Sequence, residues 1–236
     1  MIAGSVFCPH PPVLVPELAG AAAPELDELR AACLGVIASA AATGHQLVLL
    51  GSGPSSQLHS PLSRGTLAGF GLPGDVHLGA PTCGGALELP LSLTIGAWLV
   101  REALGPRSGA LGVSVGPDYP SSKAAVKLLT LAETRDLVLV VMGDGSARRT
   151  TAAPGYFDER AEPFDASVSA ALAAGDADAL DGLDLDLAHA LLSAGAPAWR
   201  AAGGLLAGAD YAAELSYDAA PYGVGYFVAS WTLATP

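Results

Sequence analysis

Apolar residues follow two rhythms along this chain. Short unbroken runs of branched residues alternate with longer Ala/Leu runs of helical period. Ile2–Phe7 predicts a first strand. Pro24–Thr43 predicts a helix, with Glu25, Asp27 and Glu28 near its start, where acids favour the N-terminal dipole, and Gly44 just past its end. Gln46–Leu50 predicts a buried strand, and the turn formers of Gly51–Pro61 predict a loop. Asp75–Leu78 predicts a short strand, Leu87–Leu104 a long buried helix with Pro90 in its first turn, and Gly109–Val115 a further strand. Ser121–Thr134 predicts a helix with serine at its start. Leu137–Met142 is a buried strand by its apolar run. Residues 163–209 predict helices broken at Gly175, at Gly195-Ala196-Pro197 and at Gly203-Gly204. Tyr222–Trp231 predicts a last strand.

Alternating strands and helices define the expected class: α/β, a single domain over residues 1–236. Its central sheet should be mostly parallel or mixed, with helices on both faces. A chain of 236 residues is long enough for one sizeable core. Hydrophobic residues are 51%, yet aromatics are only 6%, because alanine supplies much of the apolar count. The most apolar stretch, Leu87–Val100, is interrupted by Glu88, Pro90 and Gly96 and is too short to span a bilayer. Twenty-three acids against 11 bases give a net charge of −12. That field repels phosphate backbones and anionic lipid, so neither nucleic acid nor a membrane is an expected partner. Three cysteines, Cys8, Cys33 and Cys83, occur without a CxxC pair. This pattern suits free thiols in a reducing cytoplasm and excludes zinc sites built on paired thiolates.

Ligands of open α/β sheets gather at the carboxyl ends of strands, and three ends carry candidate chemistry here. After the first strand comes Cys8-Pro9-His10-Pro11-Pro12. Prolines on both sides hold His10 on a stiff backbone, which suits a metal ligand and equally a turn whose imidazole bonds a carbonyl. The loop after the second strand contains Gly53 and His59; the histidine is a ligand, a base, or solvent-facing. After Leu137–Met142 comes Gly143-Asp144-Gly145-Ser146-Ala147-Arg148, where Asp144 is a cap, an Asx-turn residue or a catalytic carboxylate. His189, in an Ala/Leu helical run, reads as packing or partly exposed. No GxSxG elbow and no GxGxxG fingerprint occurs.

Three stretches carry a resemblance: residues 5–20 (SVFCPHPPVLVPELAG), 140–168 (VVMGDGSARRTTAAPGYFDERAEPFDASV) and 214–231 (ELSYDAAPYGVGYFVASW). In this order the chain resembles the subunit-B fold of the class III extradiol ring-cleavage dioxygenases, the protocatechuate 4,5-dioxygenase-like family, to which Memo-type proteins are related. The resemblance implies one non-haem Fe(II) held by two histidines and a carboxylate, with a further histidine as acid/base. His10 matches the first ligand. The second ligand belongs in a turn that reads Gly51-Ser52-Gly53-Pro54 here, with His59 several residues later. Ala147 stands where the Gly-Asp-x-Ser-His turn places the acid/base histidine, and Ala194-Gly195-Ala196 stands where a carboxylate ligand is expected.

The expected function is therefore a dioxygenase-like protein that has lost Fe(II) and ring cleavage and acts as a small-molecule-binding or structural/regulatory subunit. The alternative is an active Fe(II) enzyme that cleaves catechol or aminophenol rings through His10, His59 and an acid such as Asp144 or Glu17. A third reading uses Asp144 and His10 as acid and base without metal. Asp144 and His59 are the candidate catalytic residues and His10 the remnant metal ligand. Pro11, Gly53, Ser146, Ala147 and Arg148 should line the cleft. No cofactor is expected, with Fe(II) under the alternative. A small aromatic ligand, a homo-oligomer and a paralogous subunit are the expected partners.

Overall fold

The run Leu137–Met142 sits at the middle of the sheet, and every residue in it is buried. Odd positions Leu137, Leu139 and Val141 enter one apolar cluster, and even positions Val138, Val140 and Met142 enter the other. A strand covered on both faces has no polar side to show, which is why its sequence does not alternate. The computed structural model describes residues 1–80, 86–117, 119 and 122–234.

Seven strands form the main sheet: β1 (Ile2–Cys8), β2 (Gln46–Ser52), β3 (Gln57–His59), β6 (Leu111–Val115), β7 (Leu137–Met142), β8 (Tyr211–Ala219) and β9 (Tyr226–Leu233). Their order is β3-β6-β2-β7-β1-β9-β8. The four central strands are parallel, and antiparallel strands extend both edges. A separate hairpin pairs β4 (Arg64–Leu67) with β5 (Leu72–His77). The class is α/β with a mixed sheet and a parallel centre.

Helices α2 (Asp27–Ala41) and α3 (Leu91–Leu104) cover one face through Leu29, Cys33, Ile37, Leu93 and Leu99. Helices α4 (Lys123–Thr134), α5 (Ala161–Ala174), α6 (Ala177–Asp181) and α8 (Ala196–Leu206) cover the other. Two short helices complete the set among the described residues: α1 (Pro16–Ala19), and α7 (Leu185–Ala190) before α8. None of the described helices is long and apolar enough to cross a membrane.

Several boundaries differ from the sequence expectation for physical reasons. The helix expected over Pro24–Thr43 starts at Asp27, because Gly20–Leu26 forms tight 3-10 turns around Pro24. Pro90, expected in a first turn, is instead the extended residue that precedes α3. Helix α4 begins with Ser122 accepting from the Ala125 N–H, the serine cap the sequence suggested one residue earlier. Ser121 itself, and Cys83, lie outside the described residues. Strand β8 has no counterpart in the expectation. Its bulge at Ser216 explains part of this: Ala213 and Leu215 pack on one cluster and Tyr217 on the other, so the alternation breaks midway.

Candidate functional site

Strand register builds the site. In the β1–β7 pair Cys8 lies opposite Met142, and the Gly143 N–H donates to the Cys8 carbonyl at 2.9 Å. Two residues beyond each strand stand His10 and Asp144. The His10 N–H donates to Asp144 Oδ1 at 2.7 Å, and His10 Nδ1 lies 3.6 Å from the same oxygen. Prolines before and after His10 fix the chain there, and the Leu14 N–H closes a turn onto the Pro11 carbonyl at 3.0 Å. Asp144 is thus neither a helix cap nor an Asx-turn residue; it ties together the two strand ends.

The Asp144 backbone carbonyl is a second joint. It accepts from the Gly195 N–H at 2.8 Å and from Ser193 Oγ at 3.1 Å, which brings the start of α8 onto the turn after β7. This contact needs glycine on both sides. A Cβ on Gly195 would lie 2.7 Å from the Gly143 Cα, and one on Gly143 would lie 2.7 Å from the Gly195 Cα.

Burial pushes the Asp144 carboxyl above its ordinary range, and the His10 ring and N–H pull it back part of the way. His10 is itself buried, and its Nδ1 has no hydrogen-bond partner among the described residues. His10 lines a cavity of about 420 Å³ together with Ser52 at the end of β2, Gly53 just after it, and Leu185, His189 and Pro197 of α7 and α8. His189 is exposed on α7 and lines this cavity, a position that the Ala/Leu run around it does not reveal.

The remaining site candidates lie elsewhere. His59 is buried on the edge strand β3, opposite Gly112. Three strands separate β3 from β1, a span of roughly 19 Å at the usual interstrand spacing. There His59 Nε2 meets Ser114 Oγ at 3.1 Å, and Nδ1 lies 3.6 Å from Glu88 Oε1. Burial lowers the His59 pKa below its ordinary value, against a smaller opposing pull from Glu88. Glu17 is exposed on α1.

Of the five residues expected to line the cleft, Gly53 does so; Pro11, Ser146, Ala147 and Arg148 are not part of its wall. The turn after β7 folds inward instead. The Ser146 N–H donates to Asp165 Oδ1 at 2.8 Å, and Ser146 Oγ donates to the Leu191 carbonyl at 2.8 Å. Arg149 holds the fully buried Asp165 from its other side, Nη1 to Oδ2 at 3.1 Å. Ala147 donates its N–H to the Leu191 carbonyl as well.

A facial-triad Fe(II) needs two imidazoles and a carboxylate converging on one point. Among the described residues no three His, Cys, Asp or Glu side chains come together to hold a metal ion. His10 and His189 line the same cavity, but no carboxylate lines it with them among the described residues: Asp144 accepts from the His10 N–H, His59 stands near Ser114 and Glu88, and Ala147 offers no donor. The described residues do not fit the group. No family model and no curated protein matches the chain.

Proposed function

We propose that this chain is an extradiol dioxygenase-like protein that has lost iron-dependent ring cleavage, and that its cleft binds a small, largely apolar molecule beside His10. The observation that carries this reading is the His10–Asp144 pair, which leaves His10 alone of the two on the cavity wall. Where a metal-binding version needs two imidazoles and a carboxylate around one point, His189 is the only other imidazole lining the cleft among the described residues, the Asp144 carboxylate accepts from the His10 N–H, and His59 stands on the far edge of the sheet. What remains is a concave, mostly apolar site with a few polar groups, which is the usual form of a small-molecule pocket. Buried free thiols at Cys8 and Cys33 suit a reducing, cytoplasmic setting.

A second reading rests on the same pair. A buried carboxyl that anchors the backbone of a histidine at a cleft and lies 3.6 Å from its ring nitrogen suits acid/base chemistry, with His10 exchanging the proton and Asp144 fixing its position. On this reading His10→Ala abolishes an activity that chelators leave intact.

The binding reading is tested by calorimetric titration with phenol and 4-methylphenol. The wild type should bind them, and His10→Ala should weaken binding by at least tenfold while leaving the circular dichroism spectrum unchanged. Equal affinity in the two proteins would remove His10 from the site and the reading with it.

A further inference from the structure

The cleft beside His10 does not end there. A second chamber of about 810 Å³ continues from it along α8 toward α4, and the two share Ser52, Gly53, Leu185, His189 and Pro197 as lining. His10 lines only the smaller chamber and Arg200 only the larger. The larger wall is mainly apolar, with Tyr119, Leu129 and Leu205 prominent.

Size bears on the ligand. A cavity of about 150 Å³ suffices for a benzene ring. One phenolic ring therefore falls well short of filling the smaller chamber and leaves the larger untouched. Charge bears on it too. Arg200 is exposed on α8 and makes no ion pair or hydrogen bond with any described residue. Asp181 lines the same chamber without pairing with it. In a chain of net charge −12, one guanidinium beside an acid suits a single negative charge and disfavours a dianion such as phosphate.

We propose that the ligand is an elongated, mainly apolar monocarboxylate, with a ring or other compact head beside His10 and its carboxylate against Arg200. This rests on the reading of the cleft as a binding site and names the class of molecule it takes. Arg200 is the specificity residue for the acid group, and Leu129 and Leu205 flank the connecting chain.

The test is calorimetric titration of the full chain with phenol, with 6-(4-hydroxyphenyl)hexanoate and with the primary amide of that acid. The acid should bind at least tenfold more tightly than phenol or the amide. Arg200→Gln should erase its advantage over the amide, and Asp181→Asn should enlarge it. Leu129→Trp, which narrows the larger chamber, should reduce the acid to the affinity of phenol. Equal binding of acid and amide, or an advantage that survives Arg200→Gln, would overturn the proposal. If phenol still binds through His10 in that case, the small chamber keeps its role and only the extension falls. If no probe binds, the extension and the binding reading fall together.

Discussion

His59 shows how burial decides what a histidine does. In the sequence it lies in a polar loop and is free to be a ligand or a base. In the fold it is enclosed on β3, with Ser114 and Glu88 as its polar neighbours. Its folded pKa is below the ordinary 6.5, so the unfolded chain binds the proton more readily in the window below 6.5. The stabilisation from the neutral, buried ring is therefore complete above that window and is lost as the pH falls through it. Glu88 opposes the loss only in part. His59→Gln should cost more stability at pH 7.5 than at pH 5.5, measured by urea denaturation at both values. An equal cost at the two pH values would mean that His59 does not titrate differently on folding. Asp144 runs the other way: its raised carboxyl pKa makes ionisation in the folded state a burden as the pH rises, offset by His10.

Among the elements, the start of α8 is the hinge of the site. Gly143 and Gly195 allow the turn after β7 and the helix start to touch at backbone distance, and Trp199 packs over the contact. A Cβ on Gly195 would lie 2.6 Å from Trp199 Cζ2 and 2.8 Å from the Asp144 N, both in a closed environment. Gly195→Ala should therefore destabilise the fold by about 1–3 kcal/mol, the usual range for overpacking, and displace Asp144. A shift in the denaturant midpoint without a change in slope would report it, and an unchanged midpoint would contradict the contact. The sequence made the central elements legible. Unbroken apolar runs such as Leu137–Met142 and Gln46–Leu50 have one physical solution, a strand covered on both faces. Strand β8 was not legible, because alanines, Glu214 and a bulge blur its alternation. The His10–Asp144 contact was half legible. Both residues stand out after strands, but only the parallel register of β1 on β7 makes them neighbours. His189 gave no signal, since a helix of six residues does not declare which side faces a cleft.

For the whole molecule, two apolar layers on a seven-stranded sheet place the strand ends at one rim, and chemistry at that rim depends on which side chains survive there. His10 after β1 and His189 on α7 line the cleft, the Asp144 carboxylate accepts from the His10 backbone, and the turn after β7 is folded inward onto Asp165 and Leu191. On the proposed reading such a rim binds and orients a small molecule, and the donors that converge there among the described residues are too few for Fe(II), a cation low in the first-row affinity order. The most direct test is to purify the chain anaerobically with Fe(II), pass it through a desalting column, count the iron, and follow oxygen uptake on a panel of catechols and aminophenols. The proposed loss of ring cleavage predicts far less than one iron per chain and oxygen uptake no faster than free Fe(II) gives. One tightly held iron per chain, with uptake that depends on both His10 and His59, would contradict it.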